Sequence, residues 1–278
     1  MPKRILAAVA LGLALACAAF GQRGSQQQPA RGGDVAKFSF RPERVRVGQV
    51  YHYLKTNIDG THPEHVSVYV AAKDRIESFK YHPPRAGRAA LVISEMDWKL
   101  FSAKRLESWQ VWKDERKLFA TLDYNHSDST VTVNIPATGR PAERVLIGHV
   151  PFHVYNFDLA SLGFAFPHLA RPRDSFTVGI ADPTFKDAGP LFHYKGEARV
   201  SYAGEQWRGG VRCRKYRIDG EGLEGRGGFL WVNKVRGHVE DIEIALPDNP
   251  EWQSFKFRLT RTERMTRARW EAFIKAQF

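Results

Sequence analysis

Residues 226–248, RGGFLWVNKVRGHVEDIEIALPD, decide how the rest of the chain reads. Phe229, Leu230, Trp231 and Val232 form an apolar run short enough for a strand. Residues 233–237 (NKVRG) carry turn chemistry, and from Val239 the sequence alternates, with Asp241 and Glu243 interleaved with Ile242 and Ile244. Alternation with period two marks a half-buried strand, and two such runs joined by a short glycine-closed turn make a hairpin.

Working outward, the same signal recurs. Phe255, Phe257 and Leu259 alternate with Lys256 and Arg258; residues 194–202 and 211–218 form two further runs. Toward the N-terminus, Val66, Val68 and Val70 follow the turn sequence Asn57-Ile58-Asp59-Gly60, and residues 109–112, 118–124 and 131–135 continue the series. Gly48, between Val47 and Tyr51, suits a bulge or kink. Two stretches differ. Residues 136–190 hold an aromatic set (Phe152, Tyr155, Phe157, Phe164, Phe166) and a short helical pattern over 158–164 with Asp158 as its N-cap, after which Pro167, Pro172, Pro183 and Pro190 break up the chain. The tail 263–278 takes helical spacing, with Met265, Ala268, Ala272, Phe273 and Ala276 on one face. The expected architecture is mainly β: a curved antiparallel sheet over 38–262 as one domain, interrupted by a crossover or lid at 136–190 and followed by a C-terminal amphipathic helix.

The hairpin at 226–248, with the similar style of residues 194–218 before it, resembles periplasmic half-barrel proteins, the lipoprotein carriers LolA and LolB and related families of unknown function. The resemblance is best over 190–260. It implies a curved sheet wrapped around a helix or lid, with an apolar cavity able to hold acyl chains. The long aromatic middle segment departs from that pattern, and no specific binding residue carries over.

The N-terminus bears on place. Lys3 and Arg4 precede an apolar run at 5–16 and then small residues, the layout of a secretory signal peptide over 1–21. A membrane-spanning helix needs roughly 20 apolar residues, more than this run supplies. Ala14-Leu15-Ala16-Cys17 also reads as a lipobox, in which Cys17 would be acylated. Residues 22–37 begin as a polar, Gln- and Gly-rich tether. The expectation is therefore an exported, periplasmic protein, membrane-anchored if Cys17 carries lipid.

Composition excludes several classes. Among 278 residues there are 23 Gly, 15 Pro and 2 Cys, so collagen-like and disulfide-dense scaffolds are out. With Cys17 removed by cleavage, Cys213 stands alone between Arg212 and Arg214 and reads as a small buried hydrophobe. Net charge is +12, or +10 once Lys3 and Arg4 leave with the signal peptide. The excess is dispersed, and export replaces nucleic acid by lipid head groups or polysaccharide as the acidic partner.

Catalytic patterns are weak. His62/His65 and His149/His153 are the closest histidine spacings, but Pro151 breaks a helix between the second pair. In an extended strand, i and i+4 lie about 13 Å apart. Zinc signatures and the Gly-x-Ser-x-Gly elbow are missing, and the glycine-rich residues 220–228 lack the Lys-Ser/Thr of a phosphate loop, so neither metal nor cofactor is expected. A diffuse binding set remains: Asp182, His193, Glu197, Arg226 and Trp231, with Trp231 lining a concave face and Arg226 at its rim, or with Trp231 as core and Arg226 as surface charge. The tail has two readings as well, an interfacial helix on anionic lipid or a helix packed on the sheet. The leading function is non-enzymatic binding of an apolar or amphipathic, lipid-like envelope molecule. The alternatives are an envelope hydrolase using carboxylates near the crossover, such as Asp182 and Glu197, and a structural envelope-interaction protein.

Overall fold

A computed structural model describes residues 33–82, 87–184 and 189–278. The signal-peptide and Cys17 readings lie outside these residues. Fifteen strands are present among the described residues, three of them inside the stretch 136–190 expected as a crossover or lid. The first eight are β1 (Gln49–Thr56), β2 (Glu64–Val70), β3 (Arg75–Tyr81), β4 (Ala89–Asp97), β5 (Ser102–Val111), β6 (Arg116–Asn125), β7 (Thr130–Asn134) and β8 (Glu143–Leu146). After them come β9 (Phe152–Val154), β10 (Phe176–Pro183), β11 (Phe192–Arg208), β12 (Val211–Asp219), β13 (Gly228–Asn233), β14 (Val239–Ile244) and β15 (Phe255–Arg264). Two α-helices are present among the described residues, α1 (Ala160–Ala165) and α2 (Arg267–Lys275).

All fifteen strands join one sheet in the order β8-β7-β6-β5-β4-β3-β2-β1-β15-β14-β13-β12-β11-β10-β9. Pairing is antiparallel throughout except between β9 and β10. The sheet is mainly β and curved as expected, and it is not closed. Its edge strands β8 and β9 are separated by only five residues in the chain, yet no ladder joins them among the described residues. Side-chain contacts draw the ends together instead: Glu143 Oε2 accepts the Leu191 amide at 2.6 Å.

Bulges let so long a sheet turn. β11 runs for 17 residues, and its ladders shift register opposite Gly196 and Gly204, both in the left-handed region (φ 113° and 110°) that glycine tolerates. On β1 the shift falls between His52 and Tyr53. Gly48 is instead the left-handed turn residue leading into that strand.

The expected lid is internal. From Phe152 the crossover runs through the hollow of the sheet, and its side chains form much of the core. Tyr155, Leu159, Leu162, Ala165 and Phe166 pack against Tyr53, Tyr216, Leu230 and Phe257 on one side. Phe152, Val154, Phe157 and Ala160 pack against Leu106, Ala120, Val131 and Val133 on the other. Asp158 does not cap α1. Leu159, left-handed at φ 51°, precedes the helix without a side-chain cap, because the Asp158 carboxylate is drawn away to two lysines.

At the tail, Thr266 caps α2 by accepting the Arg269 amide. The buried residues are Trp270 and Ile274, with Phe273 beside them, while Ala268 and Ala272 face solvent. The alanine face expected from spacing loses to the larger apolar area of Trp270 and Ile274. This stripe covers Val50, Tyr69, Phe79 and Leu91 on the outside of the sheet. Burial on both faces explains the unbroken apolar run Leu91-Val92-Ile93 in β4. Trp270 Nε1 donates to Glu77 Oε2 at 2.8 Å beneath the helix, and Arg267 pairs with the same carboxylate at 2.5 Å. Among the described residues no helix is long and apolar enough to cross a membrane.

Candidate functional site

Inward-facing positions of β3 to β7 line a groove. Its walls are Val92 of β4, Leu106 of β5, Ala120 and Leu122 of β6 and Val133 of β7, closed from inside by Val154 and Phe157 of the crossover. The volume is about 520 Å³, in the range of small-molecule sites, roughly 300–1,000 Å³. The groove stays open because several inward residues of this wall are small: Ala90, Ser108 and Ala120. Its mouth lies at the end of the sheet that carries His82, Arg88, Glu251 and Trp252.

Behind the mouth sits a buried ionic cluster. Lys55 is 1% exposed, and its Nζ lies 2.6 Å from Asp248 Oδ2, 3.4 Å from Glu64 Oε2 and 3.5 Å from Asp158 Oδ1. Lys80 Nζ reaches Asp158 Oδ2 at 2.6 Å and donates to the Asn156 carbonyl at 3.0 Å. Two ammoniums thus meet three carboxylates away from water. Burial works against the charge of Lys55, but Asp158, Asp248 and Glu64 together hold it above its ordinary range. Burial pushes Asp248 up to about 6, against the pull of Lys55. Trp252 roofs the cluster, with Lys55 Nζ 4.0 Å from its ring centroid and His82 stacked on the other side at 6.0 Å.

Asn156 links cluster and groove. Its side chain donates to the Asp248 carbonyl at 2.8 Å, and its amide donates to Asp182 Oδ1 at 2.7 Å. Burial pushes Asp182 up to about 7 despite that hydrogen bond. The arrangement ties the crossover to β1, β3, β10 and the segment before β15, and so fixes the inner wall of the groove. Asp158 and Asp248 are engaged by lysines and are not presented to the groove as free acids or bases.

The residues singled out from sequence are not brought together. Asp182 lies beside Asn156 and Pro183 at the groove edge. His193, opposite it on β11, is exposed. Glu197 is largely exposed on the far side of β11, 3.3 Å from His149. Arg226 is exposed in the loop before β13. Trp231 is buried, but on the outer face: Leu230 and Val232 point inward, while the Trp231 ring lies under Arg208 at 4.2 Å and Lys215 at 5.3 Å. Strand alternation requires this, because only one of two adjacent residues can face the hollow. The glycine-rich stretch 220–228 is a turn whose glycines allow close backbone approach; a Cβ on Gly228 would collide with the Glu243 carbonyl.

Histidines are engaged elsewhere. His153 is buried against the Ser161 hydroxyl at 2.8 Å, and burial lowers it to about 3. Among the described residues no group of three His, Cys, Asp or Glu is placed to hold a metal. Cys213 is fully buried, and burial pushes its thiol up to about 12.

Reasoning from sequence passed over Lys55, Lys80, Glu64 and Asp248. The signal was present: Lys55 continues the inward phase of Tyr51 and Tyr53, Glu64 that of Val66 and Val68, and Lys80 that of Ile76 and Ser78. A charge in register with a core-facing series needs a buried partner.

No family model matches the chain, and no curated protein matches it. Among solved structures, it is similar to an outer membrane lipoprotein-sorting protein domain from Vibrio parahaemolyticus. That match has 9% identity and a TM-score of 0.30, covering 88% of this chain and 98% of that one. It is also similar to a DUF1329 family protein from Desulfovibrio piger, at 12% identity and a TM-score of 0.28, covering 84% and 92%. At these TM-scores neither likeness carries an argument, and the functional reading rests on the groove.

Proposed function

We propose that the protein binds the apolar part of an amphipathic, lipid-like molecule in the groove between β3–β7 and the crossover, without chemical conversion. One observation carries this: an apolar trough of about 520 Å³ remains open in a sheet whose other half is filled. Each methylene placed there is worth about 0.8 kcal/mol, enough for a single chain to bind well. His82 and Arg88 at the mouth suit an acidic head group beside the tail. An exported, periplasmic location, from the N-terminal 21 residues, fits such a ligand.

Native mass spectrometry of freshly purified protein, with organic extraction and identification of what it releases, tests the reading. A bound amphiphile at one per chain is expected; protein that stays empty after incubation with fatty acids and phospholipids contradicts it. The hydrolase alternative draws on Asp182, which at about 7 is suited to proton transfer. Turnover of envelope lipid or glycan that is lost in Asp182→Asn would favour it over binding alone.

A further inference from the structure

The groove opens at one end of the sheet, and the opposite end has a different surface. Five large apolar side chains are exposed among the described residues. Four of them, Phe40, Val47, Trp207 and Val235, lie at this opposite end; only Ile58, in the β1–β2 turn, lies at the groove end. Trp207 is 67% exposed and Val235 80%.

Turn geometry puts them there. Gly209 and Gly210, both left-handed, close the β11–β12 hairpin as a two-residue turn and hold Trp207 near its tip, across from Arg212. In the neighbouring β13–β14 turn, Val235 stands between Lys234 and Arg236. The turns touch: the Lys234 amide donates to the Arg212 carbonyl at 3.0 Å, and Arg44 donates to the Val235 carbonyl at 3.2 Å. Arg264 in turn donates to the Val47 carbonyl at 3.2 Å. These contacts join Trp207, Val235 and Val47 into one patch with arginines between them.

The charge of the patch is unbalanced. Arg212 and Lys234 share Glu205, and Glu43 lies nearby in the chain. Arg44, Arg46, Arg236 and Arg264 are exposed, and none has a carboxylate within ion-pair distance among the described residues. Exposed arginines without a carboxylate partner among the described residues occur elsewhere too (Arg88, Arg199, Arg226, Arg258), but there they are scattered, whereas here they stand among exposed apolar side chains.

We propose that this end is a docking surface for an anionic phospholipid bilayer. Charge complementarity selects the occupant. Unpaired guanidiniums face acidic head groups, and an indole with flanking aliphatic side chains on protruding turns suits the interfacial layer. A soluble polyanion would use the arginines and leave Trp207 and Val235 in water, whereas a bilayer uses both. Docked in this way, the molecule turns the groove mouth away from the membrane. The inference does not depend on what the groove holds.

Vesicle co-sedimentation of the full chain tests it, comparing phosphatidylcholine alone with an equimolar mixture of phosphatidylcholine and phosphatidylglycerol. Because residues 5–16 are themselves apolar, the decisive reading is the difference between variants. Each basic side chain near an anionic surface is worth a factor of about five. Arg44→Glu/Arg46→Glu/Arg236→Glu should therefore weaken binding to the anionic vesicles by about a hundredfold or more. Trp207→Ser/Val235→Ser should weaken it about tenfold, and Ile58→Ser at the other end should bind as the parent does. All altered positions are exposed, and unchanged thermal unfolding is expected to confirm folding. Equal binding to both vesicle types, or a charge-reversed variant that binds like the parent, overturns the proposal. So does binding of soluble dextran sulfate without binding of vesicles.

Discussion

Across β1 and β10–β15 the crossover presents Tyr155, Leu159, Leu162 and Phe166 to a wall that includes Tyr53, Tyr216, Phe255 and Phe257, and a void of only about 40 Å³ remains. Across β3–β7 the same segment presents Phe152, Val154 and Phe157 to a wall with Ala90, Ser108 and Ala120, and about 520 Å³ stays open. The backbone architecture is alike on both sides. The choice of inward side chains decides which half becomes core and which becomes a groove. The ionic cluster of Lys55, Lys80, Asp158 and Asp248 stands between the two and pins the segment that serves both.

Breaking that pin has the largest expected effect. Lys55→Met leaves Asp248, Asp158 and Glu64 without their shared cation, and removing one partner of a buried ion pair costs about 3–5 kcal/mol. Chemical denaturation should show a loss of that size, and a loss below about 1 kcal/mol would mean that the cluster does not hold the crossover.

The two halves can then be compared directly. Leu162 is completely buried in the filled half, and Leu162→Ala should cost about 3 kcal/mol through the cavity it leaves. Leu122 lines the groove and already borders open space, so Leu122→Ala should cost about 1 kcal/mol. Equal losses in urea titrations would erase the distinction between core and groove.

A smaller effect concerns pH. Asp182 titrates at about 7 in the fold and near 4 in the unfolded chain, so the folded state binds the extra proton between those values. Its contribution to stability therefore falls as pH rises from about 4 to about 7. Asp182→Asn should flatten this limb by on the order of 2 kcal/mol, allowing for partial solvent access. Thermal unfolding at pH 5 and pH 7.5 measures it, and an unchanged slope in the variant would remove Asp182 as its source.

Much of this was legible in the sequence, and what was not has specific causes. Period two located β2, β6, β7 and β11–β15, the hairpin at 226–248 among them, because alternation depends only on local backbone geometry; β3, β4 and the three strands within 136–190 are not read from it. Phase is a different matter. Sequence leaves Trp231 open between a concave lining and core; Leu230 and Val232 take the inward positions and Trp231 is buried on the outer face, because no local signal distinguishes the two faces of an apolar strand. Asp158 looked like a helix cap because Lys55 and Lys80, 103 and 78 residues away, cannot be seen in its neighbourhood. The crossover reads as a lid because its prolines and aromatics do not reveal that it packs inside the curved, open sheet. The groove depends on small side chains from three strands and is a property of the assembled wall.

The most direct test of the central claim is a titration of a fluorescent fatty acid into the parent protein and into Ala90→Trp, whose new indole occupies the groove. The account predicts saturable one-to-one binding by the parent, an unfolding midpoint in the variant within about 1 kcal/mol of the parent's stability, and loss of at least tenfold in affinity. Undiminished binding by a folded Ala90→Trp protein would contradict the assignment of the groove as the ligand site.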